Sequence, residues 1–168
     1  MSGVSDIILP LPVGTAALRR ATADDLPAIL ELLADDPIGA AHGDTARTDA
    51  RPAYERAFAA IDASPEQRLL VATSTAREVI ATMQLTLIPG LTRVGASRLQ
   101  IASVRVRADH RNRGIGRAMV RWAVEMAPEL GAQLVQLASD AARVDAHRFY
   151  ERLGFTASHV GFTLAVER

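Results

Sequence analysis

The 168-residue chain contains no cysteine, so disulfides, thiolate metal sites and cysteine nucleophiles are all excluded. It contains no lysine either. All 19 basic residues are arginine, which removes a Schiff-base lysine from the chemistry available. It also lacks net charge, at +0, and so lacks the positive excess on which general nucleic-acid or membrane-surface binding relies. No nucleic-acid or membrane partner is therefore expected. Apolar runs fall short of the about 18 residues that suggest a membrane span, and no charged-then-apolar signal pattern opens the chain. The expected location is cytoplasmic, and no metal is expected. What the chain does have is 49% hydrophobic residues, enough to argue against disorder and, at this length, for one domain with a real core.

Residues 1–14 hold Gly3, Pro10, Pro12 and Gly14 and read as an N-terminal arm or loosely packed extension, leaving 15–168 as a single domain. A first strand fits 17–21. Thr22-x-x-Asp25 is an N-cap signature, and Leu26, Ile29, Leu30 and Leu33 follow at helical spacing. Pro37 and Gly39 are expected to stop that helix. Residues 42–50 read as a loop and 51–63 as a second helix, with Tyr54, Phe58 and Ile61 on one face. A hairpin is expected from 69–73 and 79–88, and Pro89-Gly90 turns the chain. A helix fits 116–130 with Gly131 as its C-cap, a strand 134–137, and a helix 144–153 closed by Gly154. Two more strands are expected within 155–166.

The stretch 101–121, IASVRVRADHRNRGIGRAMVR, organises the rest. The strand expected over 99–107 is apolar at odd positions Leu99 and Ile101, then at even positions Val104 and Val106. One extra residue near Ala102-Ser103, a β-bulge, explains that slip; burial on both faces is the other reading. The polar run Asp109-His110-Arg111-Asn112 is turn-like. Gly114 and Gly116 then stand at a strand-to-helix junction, where backbone N–H groups approach a ligand closely and a helix N-terminus adds unpaired donors. That combination suits a phosphate. It matches neither GxxxxGK[ST] nor GxGxxG, and a P-loop nucleotide-binding reading lacks its lysine and Mg²⁺-binding hydroxyl.

Arg111-x-x-Gly114-x-Gly116 after a Val-x-Val strand resembles the pyrophosphate loop of the GNAT superfamily of N-acetyltransferases. A second block strengthens the resemblance: Asp145-Ala146-His147-Arg148-Phe149-Tyr150-Glu151-Arg152-Leu153-Gly154-Phe155 looks like that family's A-x-x-F-Y-x-x-x-G-F segment. The resemblance covers roughly residues 17–165. It implies an α/β, three-layer GNAT fold with a central, mostly antiparallel, splayed sheet of six to seven strands and about four helices. It implies acetyl-CoA as cosubstrate and a primary amine of a small molecule or peptide as acceptor, in direct transfer. A homodimer is compatible with it.

Carried onto this chain, the resemblance places the pantetheine arm against the backbone of Val104, Arg105 and Val106, as an added strand pairs. Arg111, Asn112, Arg113, Gly114, Ile115, Gly116, Arg117 and Ala118 would hold the pyrophosphate, with Arg111, Arg113 and Arg117 neutralising charge. Arg143 would reach a CoA phosphate or cover a helix end. Tyr150 is the expected acid for the departing thiolate. His42, Asp44, Tyr54 and Phe58 are acceptor contacts on this view, or a solvated loop and a core face on the plainer one. No base is visible. Where many relatives carry Glu the chain has Ala102, and where similar relatives have Asn it has Arg143; Asp140, Glu151, His110, His147 and His159 remain as candidates, or proton loss through ordered water. An alternative to the enzyme is a non-catalytic acetyl-CoA-binding or regulatory domain.

Overall fold

The computed structural model describes residues 6–166. The chain divides into two compact units, the first ending at Gln136 and the second beginning at Leu137. Six strands form one sheet in the order β1 to β6: β1 (Ile7–Pro10), β2 (Thr15–Arg20), β3 (Gln67–Thr73), β4 (Val79–Ile88), β5 (Arg98–Val106) and β6 (Leu134–Leu137). Each pairing from β1 to β5 is antiparallel, as the resemblance implies. The main helices are α1 (Leu26–Ala34), α2 (Pro37–Ala41), α3 (Arg51–Ala63), α4 (Ile115–Met126) and α5 (Val144–Glu151), with one further short turn of helix at Thr92–Gly95. Among the described residues no helix is long and apolar enough to cross a membrane.

The first unit's core follows the periodicities. Leu69 to Thr73 of β3 are buried at every position, the mark of a strand covered on both faces. Helix α4 buries Ile115, Met119, Val120 and Ala123, one stripe at helical spacing. It ends early, at Met126, because Pro128 has no N–H to continue the ladder; Gly131, at φ 85°, closes the turn. Phe58 and Ile61 pack against Ala21, Ile29, Leu69 and Val71, so the apolar side of α3 is a core face.

Three expectations need correction. Residues 7–10 are not loosely packed: they pair with β2, and Leu9 is buried. Pro10 is tolerated there because β1 is an edge strand, where a missing N–H costs no ladder bond. Pro37 does not simply stop α1. It opens α2, with Asp36 as N-cap accepting from Gly39 N–H at 2.8 Å, the preferred place for a proline in a helix. Finally, residues 155–166 form no strand. The alternation that suggested strands is present, but a strand exists only with a ladder partner, and Val160, Phe162, Leu164 and Val166 are 80–94% exposed.

The second unit holds α5 and its flanks. Asp140 Oδ1 accepts from Ala142 N–H at 2.8 Å, and Asp140 O accepts from Arg143 N–H at 3.0 Å. This turn delivers the chain into α5. At the far end Gly154, at φ 92°, lets Phe155 N–H return to Tyr150 O at 3.1 Å.

Candidate active site

The bulge lies within β5. Thr82 pairs with Arg105 while Gln84 pairs with Ala102, so Ser103 and Val104 stand opposite Met83 alone. Ser103 takes φ 53°, the left-handed conformation of an inserted residue. Here the bulge, and not burial on both faces, explains the phase slip: Leu99 and Ile101 are buried, Ser103 is exposed.

On its other side β5 is only partly covered. β6 begins level with it, Gln133 N–H donating to Ser97 O at 2.9 Å. It has four residues against nine in β5, so beyond the bulge Val104, Arg105 and Val106 have no neighbouring strand on that side among the described residues. The chain then runs through the turn Ala108–His110 into left-handed Asn112, φ 61°, and Gly114, φ 85°. Gly114 caps α4, and the ladder's first bond is Ala118 N–H to Gly114 O, 2.9 Å. Ala118 is thus engaged within the helix, and the amides of Ile115, Gly116 and Arg117 are the ones the helix leaves over. An exposed strand edge feeding a helix N-terminus fits a ligand with an amide-bearing arm and a phosphate. The cradle also leaves one donor unused beside the bulge: Arg105 Nε is buried without a partner.

Gly114 is required twice over. Its φ favours glycine, and a Cβ there would stand 2.7 Å from Pro12 Cδ. The turn joining β1 to β2 therefore braces the loop, a contact with no sequence signal beyond two prolines.

The arginines differ. Arg113 and Arg117 are exposed and make no ion pair with described residues. Arg111 is turned back: Nε donates to Val106 O at 3.1 Å and Nη2 to Asp35 Oδ2 at 2.9 Å. Arg105 bridges Asp36 at 3.1 Å with both side chains mostly buried, tying β5 to the start of α2. Sequence reasoning missed this pair; Asp36 before Pro37 was its only trace. Asp44 belongs to the same neighbourhood, since a Cβ on Gly39 would meet Asp44 Oδ2 at 2.6 Å and Asp36 Oδ2 at 2.9 Å. Tyr54 Oη accepts from Thr45 N–H at 3.1 Å, pinning that loop, while His42 is exposed.

Beside the loop, a cavity of about 640 Å³ is lined by Glu31, Asp35, Glu78, Arg107 and Asp109 among others. Its charges are largely paired. Arg107 holds Asp109 at 2.8 Å and Glu78 at 3.3 Å. Its bond, and next that of His110, keep the Asp109 carboxyl well below the usual carboxylate range. His110 Nδ1 lies 2.8 Å from Asp109 Oδ1, so this histidine is already engaged.

In the second unit, Tyr150 is held edge-on by Phe149, with centroids 5.0 Å apart, and by Phe155 at 5.9 Å. Such pairs fix a ring's direction. His147 Nε2 lies 2.9 Å from Asp140 O; a carbonyl only accepts, so Nε2 carries the proton. His159 Nδ1 is 2.8 Å from Ser158 Oγ, and Glu151 is exposed. Arg143 precedes α5.

Comparison with known proteins adds three kinds of match. The family model described as "Acetyltransferase (GNAT) family" matches residues 26–155. Aminoalkylphosphonate N-acetyltransferase of Salmonella typhimurium LT2 is 45% identical over 56 residues, 33% of this chain and 36% of that enzyme. The match thus spans about a third of that relative's length. Among solved structures, a transcriptional regulator from Bacillus halodurans C-125 superposes with TM-score 0.85 at 38% identity, covering 90% of this chain and 99% of that one. A protein of Agrobacterium tumefaciens C58, provisionally described as an acetyltransferase, gives 0.72 at 33% identity, covering 89% and 99%.

Proposed function

Because the chain belongs to the acetyltransferase (GNAT) family, matched over residues 26–155, we propose that it transfers an acetyl group from acetyl-CoA to a primary amine of a small molecule or peptide. The observation that carries this reading is the continuous track from the bulge at Ser103, along the uncovered edge of β5, to the left-handed turn and free amides at the start of α4. Val104, Arg105 and Val106 offer main-chain groups to the pantetheine amides. The amides of Ile115, Gly116 and Arg117 face the pyrophosphate, and Arg113 and Arg117 neutralise its charge. Acetyl-CoA supplies the acetyl group as a thioester; the amine gives up its proton through ordered water, and its nitrogen bonds to the carbonyl carbon as the C–S bond breaks and the sulfur leaves as the CoA thiol. Tyr150 is our choice for the group that protonates the departing sulfur, on the strength of its motif and a ring fixed between Phe149 and Phe155. We place this activity in the cytoplasm.

A second reading, a regulatory acetyl-CoA binder, is favoured by Ala102 standing where the resembled enzymes carry an acid. Thiol release from acetyl-CoA over a panel of primary amines, aminoalkylphosphonates included, separates the two. The enzyme reading expects release with at least one amine, and a ~10²-fold fall in turnover for Tyr150→Phe at unchanged CoA affinity. CoA binding with no release across the panel would favour the regulator. Wild-type turnover in Tyr150→Phe would remove that residue from the chemistry.

A further inference from the structure

The loop ahead of α4 has little of its own to fix its shape. Asn112 and Gly114 are both left-handed, at φ 61° and 85°. Neither residue is confined there: glycine visits either sign of φ about equally, and asparagine prefers the negative one. No side chain caps α4 at Gly114, so the hydrogen bond that often fixes the entry to a helix is not made. Before the turn, Arg111 is tied to Val106 O and Asp35. After it, Ile115 is buried. Between these anchors, on the side where a side chain would project, Gly114 faces Pro12. A Cβ on the glycine would stand 2.7 Å from Pro12 Cδ and 3.1 Å from Pro12 Cγ.

Pro12 is well made to press on a loop. Its ring fixes its own φ. The turn around it is closed by Leu11 N–H, which donates to Gly14 O at 3.2 Å, and by the pairing of Pro10 with Thr15. Buried Leu9 anchors the strand that leads into it. These residues lie before residue 26, where the family match begins, so membership of the family does not supply this brace. Resting on the donor reading above, we propose that Pro12 is a positioning residue for the donor. Its ring holds Gly114 in the left-handed turn that aims the amides of Ile115, Gly116 and Arg117 at the pyrophosphate, while Pro12 itself touches no part of the ligand. Without the ring, the loop spends time in turns that cannot bind. The apparent Kd then rises as the competent fraction falls.

Calorimetric titration of the full-length protein with CoA, and with pantetheine, which lacks the pyrophosphate, reads this role. In Pro12→Gly, CoA should bind about fivefold to tenfold more weakly, while pantetheine affinity holds. Pro12→Ala deletes Cγ and Cδ, the two atoms nearest Gly114, and leaves the turn's backbone less free than glycine does. It should weaken CoA in the same direction, and it carries the test if the glycine variant unfolds. Wild-type CoA affinity in a folded variant would overturn the proposal. So would an equal loss for CoA and pantetheine, which is what general structural damage produces. A wild type that binds no CoA at all would instead remove the donor reading, and the role of Pro12 with it.

Discussion

Asp25 shows how one side chain can do several jobs. Its Oδ2 accepts from Thr22 N–H at 2.7 Å and Thr22 Oγ1 at 3.1 Å, and its carboxylate takes both ends of the Arg19 guanidinium at 2.7 and 2.8 Å. The Arg19 bond, more than offsetting the cost of burial, holds the carboxyl below its usual range. A carboxyl depressed in this way contributes stability above its unfolded pKa of about 3.9, and loses that contribution as pH falls through the folded value. Asp25→Asn should therefore cost about 2 kcal/mol at neutral pH. It should also flatten the fall of melting temperature below pH ~4, a slope read by thermal denaturation across pH. At Gly114 the argument is steric. Alanine at φ 85° with Pro12 Cδ 2.7 Å away should cost about 2 kcal/mol and lower the melting temperature by ~5 °C; an unchanged melting temperature would show that the β1–β2 turn yields freely.

Among the elements, β5 was the most legible. The change of apolar phase between Ile101 and Val104 is a backbone event written in side chains, because an inserted residue turns every later side chain to the other face. Accordingly, amides near Ser103 should exchange with solvent faster than those of Leu99 and Ile101, and CoA should slow them; hydrogen exchange at residue resolution reads both. Uniform protection from 99 to 106 would contradict the interrupted ladder. Other elements were hidden for identifiable reasons. β1 was obscured by the prolines and glycines around it, which signal turns unless an edge strand is already known to need them. Residues 160–166 carry a strand's pattern, but alternation reports what a segment is fit for and cannot report whether an edge is there to receive it. The Arg105–Asp36 bridge joins residues far apart in sequence, and no local rule connects them.

For the molecule as a whole, the first unit contains every backbone group we assign to donor binding, from Val104 to Arg117, and the second contains Tyr150 and Arg143. The glycine loop and the β5 track were readable because phosphate binding depends on backbone geometry, and glycines advertise it. The acceptor's identity was not, since specificity rests on side chains that only the fold brings together. The central claim is that this track holds CoA, and thermal unfolding with and without CoA tests it most directly. A ligand that binds only the folded chain, at about a hundred times its Kd, adds ~2.7 kcal/mol, enough to raise the melting temperature by ~5–10 °C. We predict that rise for the wild type and none for a folded Gly116→Asp protein, in which a carboxylate stands among the amides meant for pyrophosphate. An undisturbed wild type at saturating CoA, or an equal rise in Gly116→Asp, would contradict the account.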